Sequence, residues 1–139
     1  MYLLDTNIWL ERLLDQERAD DVRRLLAAVP SHQLMLSHFS LHSLGGILGR
    51  YKRYDTFMAF IHDMFTDGAV GLVTVPPDAF VAIIGVMQNQ RLDFDDAYQY
   101  VAARQVSAEL VSFDADFDRT DLLRLTPAAL LARLDTPST

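Results

Sequence analysis

The chain has 139 residues, half of them hydrophobic and 22% charged, with six Gly and five Pro; this length can bury a core, and this balance excludes a disordered, collagen-like or low-complexity chain. The absence of cysteine excludes disulfide frameworks, thiolate zinc sites, iron–sulfur clusters and cysteine nucleophiles together, and it suits a reducing cytoplasm. The net charge of −7 rests on sixteen Asp and only three Glu, and Asp is the acid favoured at caps, turns and metal sites.

The opening Met1-Tyr2-Leu3-Leu4-Asp5 has no basic segment and meets an acid at once, so neither a signal peptide nor an anchor is expected. Tyr2-Leu3-Leu4 reads as a short strand, and Asn7 to Leu14 as a helix. Val22, Leu25, Leu26 and Val29 recur at helical spacing before Pro30, and Leu34-Met35-Leu36 is the next strand. From about Ser40 to Tyr51, the residues Leu41, Leu44, Ile47, Leu48 and Tyr51 share one helix face, with Ser37 or Ser40 as the cap. Gly45, Gly46 and Gly49 each cost that helix about 1 kcal/mol relative to Ala, and the Gly45/Gly49 spacing would admit another backbone, such as that of a second copy.

Phe57, Phe60, Ile61, Met64 and Phe65 make a further amphipathic helix that stops at Asp67-Gly68, and this aromatic stripe reads as core. Leu72 to Val75 is a strand ended by Pro76-Pro77, after which Asp78 is placed to cap a helix running to about Gln88. The longest apolar run, Ala79 to Met87, is too short to cross a bilayer, so no membrane partner is expected. A helix from Asp93 or Asp95 to about Ser107 precedes the strand Leu110-Val111-Ser112, and Pro127 to Leu134 closes the chain as a helix. Short strands separated by helices imply parallel pairing, hence a three-layer α/β/α fold with a short parallel central sheet, and no linker interrupts residues 1–139.

In such sheets, ligands sit beyond the carboxyl ends of the strands. Asp5 closes the first strand and Asp114 follows the strand at Leu110, so both belong to that edge, while Asp96 lies in the first turn of a helix and Asp116 lies two residues beyond Asp114. Hard carboxylate oxygens suit Mg²⁺ or Mn²⁺, and the matching chemistry is phosphodiester hydrolysis by water activated at the metal. An acidic chain ordinarily repels nucleic acid, but bound divalent cations reverse the local sign. Acids in a first helical turn are also caps, so spacing alone leaves both roles open, and Asp93, Asp95 and Asp118 read as caps or surface. No glycine-rich phosphate loop or Gly-x-Ser-x-Gly elbow is present, and His38 and His42, four apart, lack the intervening Glu of a zinc-protease motif.

The opening Leu4-Asp5-Thr6-Asn7, the helix entry Asp95-Asp96-Ala97 and the late Leu110-Val111-Ser112-Phe113-Asp114-Ala115-Asp116-Phe117 together resemble a PIN domain, in particular the VapC-type toxins of toxin–antitoxin pairs. The resemblance covers nearly the whole chain, including Leu123 to Pro127. It implies a metal-dependent endoribonuclease, with Asp5, Asp96 and Asp114 as catalytic metal ligands and Asp116 assisting at the metal. Asn7 and Ser112 would orient those carboxylates. It also implies an RNA substrate such as a transfer RNA and a small antitoxin partner; a homodimer is compatible with it.

The chain departs from the pattern at Ser43, in Ser40-Leu41-His42-Ser43-Leu44, where the family usually carries Glu. Three consequences stay open: the three Asp hold a metal with water bridging to Ser43, Asp116 compensates, or catalysis is lost while an RNA- or protein-binding module remains. His42 cannot substitute, because adjacent helix residues point about 100° apart. Arg50, Lys52 and Arg53 form the dense basic cluster, read first as a solvated helix end and second as a contact to RNA phosphates.

Overall fold

The structure, a computed structural model, describes residues 1–136. Five short strands, β1 (Tyr2–Leu4), β2 (Leu34–Ser37), β3 (Gly71–Val73), β4 (Glu109–Val111) and β5 (Arg124–Leu125), form one parallel sheet in the order β3-β2-β1-β4-β5. Among the described residues, seven α-helices connect and flank it: α1 (Thr6–Leu13), α2 (Ala19–Ala28), α3 (His38–Arg50), α4 (Tyr54–Ile61), α5 (Phe80–Gln90), α6 (Phe94–Gln105) and α7 (Pro127–Asp135). The expected three-layer α/β/α arrangement is therefore present.

Successive strand residues face opposite sides of a sheet, and this alternation divides the core. Leu4 and Leu36 join Ile8, Trp9, Leu25, Leu44, Phe60 and Leu130 on one face. Leu3 and Leu110 join Ile83, Tyr98, Ala102 and Phe117 on the other. A parallel sheet covered on both faces needs apolar residues at every strand position, which is why the strands read as short apolar runs. Among the described residues, no helix is long and apolar enough to cross a membrane.

Several boundaries differ from the sequence reading. The aromatic helix ends as α4 at Ile61 and continues as a π turn over His62–Thr66. β3 starts at Gly71 and stops before Thr74. Asp78 caps nothing: Pro77–Ala79 form a 3₁₀ turn, and α5 begins at Phe80 without a side-chain cap. Ser37, not Ser40, caps α3, by accepting the Ser40 amide at 3.0 Å. β5 was not anticipated as a strand; it pairs with β4 through Leu110↔Arg124 and Val111↔Leu125.

The glycines of α3 have different surroundings. A Cβ on Gly45 would meet the Phe57 ring at 3.2 Å, so an aromatic side chain, not a backbone, occupies the space there. Gly46 and Gly49 face open space.

Candidate active site

β1 sits mid-sheet between β2 and β4, and its carboxyl end delivers Asp5 as the N-cap of α1. The carboxylate is buried, 6% exposed, and both oxygens are engaged. Oδ1 accepts from the Thr6 amide at 2.8 Å and from Gln99 Nε2 at 2.9 Å, and Oδ2 accepts from the Ser112 hydroxyl at 2.7 Å. Burial pushes the Asp5 pKa up, and these three hydrogen bonds offset part of that rise while the neighbouring Asp114 adds to it.

Ser112, fully buried just past β4, binds on three sides. Its oxygen donates to Asp5 and accepts from the Asp114 amide at 2.9 Å and from Asn7 Nδ2 at 3.4 Å. Asn7 Oδ1 in turn accepts the Phe113 amide at 3.3 Å. The β1 and β4 ends are thus laced together by Asn7 and Ser112, the two residues expected to orient carboxylates.

α6 supplies Asp96. Asp93 is the true cap of this helix, accepting the Asp96 amide at 2.9 Å, while Asp96 in the first turn reaches the cleft. Burial first, then the charges of Asp114, Asp93 and Asp5 and a hydrogen bond with Asp114, push its pKa up to about 8. Like charges this close favour either a shared proton or a cation between them. Carboxylate oxygens of Asp96, Asp114 and Asp116 lie within 4.8 Å of one another, an all-oxygen donor set suited to a hard divalent cation that keeps part of its water shell. Asp116 is the outermost, with half its side chain exposed and Arg119 at 3.1 Å.

A cleft of about 260 Å³ holds Asp5, Asn7, Ser43, Asp95, Asp96 and Asp114 among its lining residues. The structure therefore brings together Asp5, Asn7, Ser43, Asp96, Ser112, Asp114 and Asp116. Asp5 stands behind the close trio of acids, on the same cleft. Ser43 faces the cleft as a half-buried residue of α3. Asp95 also lines the cleft, and burial together with Asp93 raises its pKa. Asp118 instead binds Arg124 through both oxygens at 3.0 Å. Arg50, Lys52 and Arg53 are exposed at and just beyond the end of α3, and among the described residues none makes an ion pair.

Three residues were not anticipated as parts of the site. Gln99, 1% exposed on α6, donates Nε2 both to Asp5 and to Ser40 Oγ at 2.7 Å. Ser40 in turn shares a hydrogen bond with Thr6 Oγ1 at 2.7 Å. The available signal was the Asp96/Gln99 spacing of three, which puts both on one helix face. A larger, mainly apolar cavity of about 510 Å³ between α1, α2 and α4 lies apart from these acids.

The sequence profile of the PIN domain matches residues 2–123. No curated protein sequence matches the chain. Among solved structures, VapC20 of Mycobacterium tuberculosis, described as a toxin that cleaves the sarcin–ricin loop, superposes with a TM-score of 0.75 at 20% identity, over 88% of this chain and 97% of that one. A toxin–antitoxin complex from Klebsiella pneumoniae gives 0.72 at 20% identity, over 91% and 98%. FitAcB of Neisseria gonorrhoeae gives 0.72 at 20% identity, over 92% and 99%. At such identities these structures speak to the fold, and the profile speaks to the family: the chain belongs to the PIN-domain family.

Proposed function

We propose that the chain is a metal-dependent endoribonuclease acting in the cytoplasm as the toxin of a toxin–antitoxin pair. The observation that carries this reading is the convergence of Asp5, Asp96, Asp114 and Asp116 at the carboxyl edge of a parallel sheet. Asp96, Asp114 and Asp116 would hold Mg²⁺ or Mn²⁺, with Asp5 completing the charge behind them. A divalent cation bound there supplies Lewis-acid stabilisation of a scissile phosphate and a more acidic water.

The chain's own residues do the positioning. Ser112 and Gln99 fix the Asp5 carboxylate by hydrogen bonds to opposite oxygens, and Asn7 ties the Ser112 hydroxyl to the Phe113 backbone. Ser43 offers a neutral hydroxyl where the family pattern has a carboxylate, and it would contribute hydrogen bonding without charge beside a bound cation. The substrate is a structured RNA such as a transfer RNA. Arg50, Lys52 and Arg53, about two to three turns of chain from Ser43, are a second place for its phosphates. An antitoxin is the protein partner: solved relatives are described as toxin–antitoxin complexes, and the apolar cavity between α1, α2 and α4 gives a partner segment somewhere to dock.

The test is cleavage of end-labelled transfer RNA by the purified protein with Mg²⁺, Mn²⁺ or EDTA, beside Asp5→Asn. Metal-dependent cuts that disappear in Asp5→Asn are expected. No cutting by the wild type in either metal would overturn the enzyme reading in favour of a binding module, which Ser43 in the cleft specifically favours.

A further inference from the structure

An acidic cleft repels the RNA it is proposed to cut, so a strand lying across it needs cations alongside. The carboxyl end of α5 provides a place for them. Asn89, Gln90 and Arg91 line, with Arg119, a separate cavity of about 350 Å³. Arg119 joins this cavity to the acid group: Nη2 sits 3.1 Å from Asp116 Oδ1, and Nη1 donates to the Arg91 carbonyl at 3.0 Å. Arg91 itself is exposed, and among the described residues its guanidinium has no ion-pair or hydrogen-bond partner. Two guanidinium groups and two side-chain amides therefore line one cavity, beside Asp116, in a chain of net charge −7.

We infer that Arg91, Arg119, Asn89 and Gln90 form a pocket for an RNA backbone phosphate flanking the acid cleft. The inference rests on the ribonuclease reading and adds to it the path of the strand, from the acids past Arg119 to the end of α5. Guanidinium forks match phosphate oxygens in two-point contacts, and amide side chains donate to the same oxygens. Arg119 spans both sites, one nitrogen on Asp116 and the other holding the turn of chain that presents Arg91.

The experiment is fluorescence anisotropy of a labelled single-stranded RNA against salt, in Ca²⁺, with RNA integrity checked on gels. Arg91 adopts a left-handed backbone, φ 55°, which Asn tolerates better than most residues, so Arg91→Asn removes the cation without straining the fold. Arg119→Gln is the second variant, and Arg24→Ala, on α2, is the control. Arg91→Asn and Arg119→Gln are each expected to weaken binding by roughly three- to tenfold and to flatten the slope of log affinity against log salt by about 0.7, the loss of one single-strand phosphate contact. Arg24→Ala should change neither.

Unchanged affinity and slope in both variants would overturn the pocket, and so would wild-type protein that binds no RNA. Poly-glutamate binding that Arg91→Asn abolishes while RNA binding stays intact would also overturn it, by assigning the pocket to protein carboxylates. The two readings fail separately. RNA bound through Arg91 but never cut defeats the ribonuclease alone, whereas RNA cut equally well by Arg91→Asn, with an unchanged KM, defeats the pocket alone.

Discussion

The Ser112 hydroxyl donates to Asp5 at 2.7 Å while accepting the Asp114 amide at 2.9 Å, so one buried oxygen joins two acids that lie on different strand ends. Ser112→Ala leaves a buried carboxylate oxygen and a backbone amide short of partners. The expected cost is about 1–3 kcal/mol, read as a lower urea midpoint at unchanged slope. The same variant removes one of the hydrogen bonds that hold the Asp5 pKa down, so Asp5 titrates still higher. Carboxyl NMR shifts of Asp5 moving toward lower pH would contradict this.

Asp96 gives a pH dependence with a definite sign. Its folded pKa is raised from 3.8 to about 8, so the folded protein holds a proton that the unfolded chain releases. The stability linked to that proton is complete below 3.8 and is lost as pH rises through about 8. Metal-free protein should therefore melt progressively lower across that window, and Asp96→Asn should melt higher than wild type above it. Mn²⁺ should reverse the order by stabilising the wild type selectively. Melting curves in EDTA and in Mn²⁺ on either side of pH 8 check both halves, and equal metal stabilisation of the two proteins would remove Asp96 from the cation site.

Ser43→Glu should add a further carboxylate to the cleft. The expected results are tighter Mg²⁺ binding by roughly tenfold, faster RNA cleavage, and lower stability in EDTA because another like charge enters a crowded acidic site. Calorimetric titration with Mg²⁺ is the direct measurement. Unaltered affinity would mean that a side chain at this position does not reach the cation.

Gln99 tests the support behind Asp5. Gln99→Leu removes a buried amide that donates to both Asp5 and Ser40, and it also removes Oε1, which is buried and, among the described residues, has no hydrogen-bond partner. Because one unsatisfied atom is lost along with two bonds, the stability cost should be modest, about 1 kcal/mol, whereas cleavage should fall far more. A loss of folding equal to the loss of activity would make Gln99 purely structural.

The glycines of α3 discriminate between a monomer and a pair of copies. With open space around Gly46 and Gly49, Ala at either position should stabilise the helix by about 0.5–1 kcal/mol. If a second copy brings its backbone against this face, Gly49→Ala will instead weaken self-association in sedimentation velocity. Gly45→Ala should be costlier, since the Phe57 ring must move.

The helices and four of the strands are legible because buried parallel strands and amphipathic helices leave periodic apolar patterns, and the meeting of Asp5, Asp96 and Asp114 on one cleft is legible because β1 and β4 run into two of them and the first turn of α6 carries the third. β5 escaped because a two-residue strand whose first member is the partly exposed Arg124 has no pattern. The π turn after Ile61 escaped because no Gly or Pro marks it before Gly68. Gln99 and Ser40 look like ordinary polar helix residues, and only the packing of α6 and α3 around Asp5 makes them buried and specific. Ser112 stands in a legible motif, whereas its three hydrogen bonds depend on how the β1 and β4 ends and Asn7 pack around it.

β1 pairs with β4 through Tyr2↔Glu109, Leu3↔Leu110 and Leu4↔Val111, so β1 waits for a strand made 107 residues after it. Until β4 emerges, Asp5 has neither Ser112 nor Asp114 beside it, and the edge of β1 that β4 will cover is bare. Non-local pairing of this kind is slow and comes late in folding. The cleft therefore assembles only once β4 is in place, and until then what the growing chain presents is the bare edge of β1, not a finished group of acids.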